Sequence, residues 1–201
     1  MNSSLISKYK LTIILTLTLA VFLASCKSST KSWVVSTLAG SGIVGISSEG
    51  YHDATGTAAK FYGPSGVAVD SSGNLYVADT FNNRIRKITP AREVTTLAGS
   101  GEWGYKDATG TAAQFRSPAG VTVDSDNNIY VADELNNRIR KITSAGVVST
   151  LAGSGTYGHH DATGEEAEFS GPEGVAVDSS GNVYVADKYN QRIRKITSAG
   201  R

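Results

Sequence analysis

The side chains that could do chemistry in this chain are few, and most obey one rule of spacing. There is one cysteine, Cys26, and there are three histidines, His52, His159 and His160. Aspartates recur at 54-residue intervals, as Asp70, Asp124 and Asp178 and again as Asp79, Asp133 and Asp187. A metal site needs several nitrogen, sulfur or carboxylate ligands converging on one point. His52 and His160 hold equivalent places in two copies of the pattern, but the copy between them has Lys106, which cannot ligate while protonated. Aspartates present in every copy read as turn formers, because a site normally breaks repeat symmetry. No Gly-x-Ser-x-Gly element or other nucleophile motif is present. The expectation is no catalytic residue, no metal and no cofactor.

Cys26 carries a different chemistry. Lys8 and Lys10 precede an apolar and Thr run from Leu11 to Ala24 with no charge. That run is shorter than the roughly 20 residues a spanning helix needs, and it has the form of a signal-peptide core. It ends in Leu23-Ala24-Ser25-Cys26, which resembles a lipobox, where a diacylglycerol is joined to the cysteine before cleavage in front of it. Residues 1–25 are then a lipoprotein signal peptide, and residues 26–32 a short polar tether. Acylated Cys26 would carry more than one chain, enough for stable membrane attachment. A plain secretory peptide or an uncleaved anchor is the alternative. The implied place is the cell envelope: the outer membrane, its periplasmic face or the cell surface.

Removing residues 1–25 takes two lysines from 19 basic residues and nothing from 18 acidic ones, so the exported part is close to neutral. Nothing in that balance calls for a nucleic-acid partner. Arg84, Arg86 and Lys87, with their equivalents, are the main basic clusters, and they read as a solvated edge.

The elements that must position these groups are set by the repeat. Gly63-Pro-Ser-Gly-Val-Ala-Val-Asp70 recurs at 117–124 and 171–178, and Arg84-Ile-Arg-Lys-Ile-Thr89 at 138–143 and 192–197. Each copy divides into four short apolar runs bounded by turn residues, the signature of strands. In the first copy these runs, a to d, are 66–70, 74–78, 84–88 and 94–98. In strand b, Leu75 and Val77 point one way while Tyr76 and Ala78 point the other. Both faces are apolar, so each sheet must be sandwiched between like sheets, as a propeller blade is. The a–b turns put Gly73, Asn127 and Gly181 at one position, residues that tolerate a left-handed backbone.

Pro64-Ser-Gly-Val-Ala-Val-Asp-Ser-Ser-Gly-Asn-Leu-Tyr-Val-Ala-Asp79, followed by Asn82-Asn83-Arg84-Ile85, resembles the NHL repeat. The resemblance implies an all-β fold of four-stranded antiparallel propeller blades, with units at about 61–99, 115–153 and 169–201 inside a domain spanning 33–201. Some six-bladed relatives are metal-dependent lyases or lactonases, which makes such an enzyme the competing function.

Three blades are too few to close a ring, which takes about four or more. An extra d-type strand at 33–40 precedes the first copy, and the third copy reaches Arg201 where the second continues into its d strand. Two accounts fit: a homodimer whose first strands complete each partner's last blade to make six, or a truncated propeller.

Alternating strand direction places the b–c loops and the d–a connections on one face. The b–c loops present Phe81, Leu135 and Tyr189 at matched positions, and the d–a connections carry Tyr51, Trp103, Tyr105 and Tyr157. Aromatics on variable loops suit contact with a peptide, glycan or protein surface; the bland alternative is that they only cover the blade rims. The reading is a membrane-anchored binding or scaffold module.

Overall fold

The computed structural model describes residues 32–42 and 50–197. The expected signal peptide, Cys26 and tether residues 26–31 lie outside the described residues.

Among the described residues eleven strands form three antiparallel sheets that do not close on one another. Blade 1 is β1 (Pro64–Val69), β2 (Leu75–Asp79), β3 (Arg84–Ile88) and β4 (Val94–Ala98). Blade 2 is β5 (Pro118–Val123), β6 (Ile129–Asp133), β7 (Arg138–Ile142) and β8 (Val148–Ala152). Blade 3 is β9 (Pro172–Val177), β10 (Val183–Asp187) and β11 (Arg192–Ile196). Within each sheet the strands pair in chain order, as tight turns between short strands require.

The a–b turns form as the leading aspartate dictates. Asp70 Oδ1 accepts the amides of Ser72 and Asn74, both at 2.9 Å, and Oδ2 accepts the Asn74 side chain at 2.8 Å and the Tyr76 hydroxyl at 3.0 Å. Gly73 takes the left-handed position at φ 80°. Asp124 and Asp178 repeat the arrangement.

The two-sided pattern of strand b becomes two layers of core. Tyr76 and Ala78 of blade 1 pack on Val121, Ile129 and Val131 of blade 2. Tyr130 and Ala132, on the opposite side of blade 2, pack with Val183 and Val185 of blade 3. Blade 2 is thus covered on both faces, and Val131, Ala132, Ile139 and Ile142 have no exposure. Innermost strands β1, β5 and β9 lie side by side, so close that a Cβ on Gly66 or Gly120 would come within 2.4 or 2.2 Å of the next blade's carbonyl oxygen.

Two expectations need correcting. Residues 33–40 form no strand: Trp33, Val34 and Val35 are exposed, and extended backbone without a partner strand has no ladder to join. Only the tail of the segment is tied down. Gly40 N donates to Gly56 O at 3.1 Å, and Arg92 donates to the carbonyls of Leu38 and Thr37 at 2.8 and 3.2 Å. The second correction concerns the basic runs. Arg86 and Arg140 are fully buried rather than solvated, since each is clamped between two aspartates. Arg86 reaches Asp79 at 2.7 Å and Asp53 at 2.5 Å, and Arg140 reaches Asp133 and Asp107 in the same way. A buried guanidinium must find such partners, because the unpaired charge costs far more. The aspartates of this second series, Asp79, Asp133 and Asp187, are therefore ion partners and not turn formers.

Candidate functional site

The loops of blades 1 and 2 border a shallow, open groove of about 430 Å³ lined by Tyr62, Phe81, Asn83, Trp103, Arg116, Ser117 and Leu135. Its walls are fixed by backbone bonds from the blades. Phe81 N donates to Tyr62 O and Leu135 N to Arg116 O, both at 3.1 Å. Asp133 Oδ1 accepts the Arg116 amide at 2.8 Å, so the buried ion pair beneath also holds the groove's rim. Asn83 bridges the two blades: its Oδ1 accepts the Ser117 amide at 2.9 Å and its Nδ2 donates to Gly101 O at 3.2 Å.

The groove combines aromatic faces with one positive charge. The Arg116 guanidinium lies 4.9 Å from the centre of the Trp103 ring, within cation–π range. Tyr62 and Phe81 pack at 5.1 Å between centroids with planes tilted by 60°. Phe81, Trp103 and Leu135 are 59%, 70% and 47% exposed, so these rings are presented and not stored in the core. Among the described residues none accepts a hydrogen bond from the Arg116 guanidinium, and no carboxylate lines the groove. Its exposed donors are free to meet an anion or several acceptor oxygens.

Ser117 explains why the opening lies here. At the matching positions Gly63 (φ 57°) and Gly171 (φ 56°), a Cβ would strike the ring of Phe81 or Tyr189 at 2.4 Å, because the aromatic lies directly over the glycine. Ser117 holds the same left-handed backbone at φ 52°, a conformation that costs a non-glycine residue energy. Its b–c partner is the smaller Leu135. Side chain and void are coupled.

The other sequence candidates are placed elsewhere. Tyr51 lies 3.8 Å beneath the Arg84 guanidinium, and its hydroxyl pairs with Thr96 Oγ1 at 3.0 Å. Tyr105 does the same with Arg138 and Thr150. Both clasp the outer strand of their blade. Tyr157 and Tyr189 are exposed at the equivalent places one blade further on, outside the groove. The sequence reading missed Tyr62, Asn83, Arg116 and Ser117. Positions 62, 116 and 170 hold Tyr, Arg and Ser, so broken symmetry was the available signal.

A small charge cluster joins the b–c loops of blades 2 and 3 to β9. Lys188 Nζ is 2.9 Å from Glu173 Oε2, and that contact raises the lysine's pKa. Burial raises the pKa of Glu134, Lys188 opposes the rise, and Glu173 adds to it. No group of three or more His, Cys, Asp or Glu side chains converges among the described residues.

Comparison with known proteins matches the NHL repeat family model over residues 61–88, 115–142 and 169–196. The chain carries three NHL repeats. NHL repeat-containing protein 2 of Gallus gallus is 38% identical over 122 residues, 58% of this chain and 17% of that protein. A solved structure of a Bacteroides thetaiotaomicron protein of unknown function superposes with a TM-score of 0.66 at 28% identity. It covers 82% of this chain and 40% of that one. A second, described as an auxiliary nutrient binding protein from the same species, gives 0.59 at 27% identity, over 69% of this chain and 37% of that one. The NHL chain spans less than a fifth of that curated relative and about two-fifths of those solved structures.

Proposed function

We propose that this chain is a ligand-capturing module of the cell envelope, lipid-anchored through Cys26, and that its groove between blades 1 and 2 takes an acidic saccharide. The observation that carries this reading is the Arg116–Trp103 stack beside the Tyr62–Phe81 pair in one concavity. An exposed indole face packs against the C–H face of a sugar ring. A guanidinium beside it, with its donors unengaged, meets a uronate carboxylate with paired hydrogen bonds. The volume is in the range of small-molecule sites. The likeness to an auxiliary nutrient binding protein supports capture over catalysis.

Tryptophan fluorescence tests the reading. Trp33 and Trp103 are the only tryptophans, so Trp33→Phe leaves Trp103 as the reporter. In the full chain held in detergent, oligoglucuronate should shift the Trp103 signal and neutral oligoglucose should do so much more weakly. Arg116→Met should remove the preference, a loss of about tenfold or more in affinity for one charge-assisted contact. Equal response to acidic and neutral sugars, or none to either, would overturn it. The anchor is tested separately: Cys26→Ser should abolish incorporation of labelled fatty acid and release the protein from the membrane fraction.

A further inference from the structure

The framework that holds the groove between blades 1 and 2 recurs between blades 2 and 3. Asn137 bridges those blades as Asn83 bridges the first two: its Oδ1 accepts the Gly171 amide at 3.0 Å and its Nδ2 donates to Gly155 O at 3.3 Å. Tyr189 N donates to Ser170 O at 3.1 Å, repeating the bond from Leu135 to Arg116. One repeat carries Phe81 to Leu135 and Trp103 to Tyr157, and the next carries Leu135 to Tyr189. Phe81 and Leu135 are thus one blade step apart and line one groove, so Leu135 and Tyr189 border a second place that adjoins it.

The second place presents its rings to the same degree. Tyr157 is 72% exposed against 70% for Trp103, and Tyr189 is 58% exposed against 59% for Phe81. Phe81 has blade 2 beside it and is no less open, so the exposure belongs to the position. Among the described residues neither the Tyr157 nor the Tyr189 hydroxyl has a hydrogen-bond partner, and each can donate to or accept from a sugar hydroxyl. The floor differs. Tyr189 lies over Gly171, where a Cβ would come within 2.4 Å of its ring, so the second place is a flat platform beside the hollow at Ser117.

Its charge differs too. Arg116 stacks on Trp103 with exposed donors, but the matching residue of blade 3 is Ser170, buried and uncharged. The cation at the second place, Lys188, lies 5.4 Å from the Tyr189 ring centre and is held at 2.9 Å by Glu173. Glu134, next to Leu135, adds a second carboxylate that feels both charges. The matching residue of blade 1 is Thr80, whose hydroxyl is engaged with Ser65 at 2.6 Å and Pro118 O at 2.8 Å. Two glutamates against one paired lysine leave no free cation, and a second anion on the ligand would meet net negative charge. An aromatic platform with open hydroxyls and no spare cation fits an uncharged sugar.

We infer that the groove takes a chain and not a single sugar: a uronate sits at Arg116 and Trp103, and the unit one blade step on, over Leu135, Tyr157 and Tyr189, is neutral. The ligand class is a neutral oligosaccharide carrying sparse acid, as opposed to a polyuronate. This deepens the acidic-saccharide reading and rests on it.

Three tetrasaccharides separate the two. In the full Trp33→Phe chain in detergent, Trp103 fluorescence is titrated with glucuronoxylotriose (a single uronate on a neutral chain), with tetraglucuronate and with xylotetraose. Glucuronoxylotriose should bind about threefold to tenfold more tightly than tetraglucuronate, the worth of an added aromatic contact, and xylotetraose most weakly. Tyr157→Ala with Tyr189→Leu should weaken glucuronoxylotriose and bring it level with tetraglucuronate; blade 2 already carries leucine at the place of Tyr189, as Leu135. Glu134→Gln with Glu173→Gln should free Lys188 and tighten tetraglucuronate instead. Equal affinity for the two acidic probes, tighter binding of tetraglucuronate by the unaltered platform, or an advantage that survives loss of both tyrosines would overturn this inference and leave the groove reading standing. No response of Trp103 to any probe, or xylotetraose binding as tightly as glucuronoxylotriose, would overturn both.

Discussion

Asp133 lies without any exposure beneath Arg140, and the pair is reached from both sides by further bonds: Asn136 to Asp133, Asp107 and two carbonyls to Arg140. Removing one partner strands the other charge in a dry place, so Asp133→Ala should cost about 3–5 kcal/mol in urea unfolding. Asp187→Ala should cost less, because Arg194 and Asp161 at that place still meet water. The burial of these arginines was not legible in the sequence, since it depends on aspartates 33 residues away in a loop. The turn aspartates were legible, because their acceptors serve amides two and four residues on. They also set an acid limit. Hydrogen bonds from the Asn182 side chain and amide, joined by Tyr184 and Ser180, hold Asp178 down from 3.8 to about 2, against a small opposing effect of burial. For Asp70 and Asp124 burial pushes upward, but the matching bonds outweigh it and the net shift is again downward. A depressed folded pKa means the folded state binds fewer protons than the unfolded state between about pH 4 and 2, so stability falls as pH falls through that window. The turn aspartates should make urea midpoints decline below about pH 4, and Asp178→Asn should shrink that decline.

At the scale of the strand, the sequence located c and d to the residue in blade 1, at 84–88 and 94–98, because alternation there is bounded by turn residues on both sides. Strand a starts two residues earlier than expected, at Pro64, since a register shift between Pro64 and Val67 lets the proline join the sheet edge without a ladder bond. The segment 33–40 shows the limit of such reading: pattern identifies a strand, but only a partner makes one. The inner strands carry the tightest constraint in the fold. Gly120→Ala drives a methyl to 2.2 Å from the Glu173 carbonyl and should destabilise by about 1–3 kcal/mol, measured by thermal or urea unfolding. The candidate groove was only half legible for a related reason. Phe81, Leu135 and Trp103 could be found by comparing loops, but Arg116 gains meaning only when its blade brings it over Trp103.

For the whole molecule, order of synthesis matters. Asp53 and Ala54 precede the first strand of blade 1, yet they clamp its last strand, 43 residues later in the case of Thr96. In blades 1 and 2 this clamp cannot form until that strand has been made. Its exit glycine then offers an amide to the blade that follows, through Gly99 to Gly110 and Gly153 to Gly164. The expected order of closure is from the N-terminal side onward, each completed sheet templating the next. Nascent chains stalled with residues up to Gly101 outside the exit channel should resist brief protease treatment across 53–98. Chains stalled before Val94 should be cut throughout, and equal cleavage of both would show that the blades form only together.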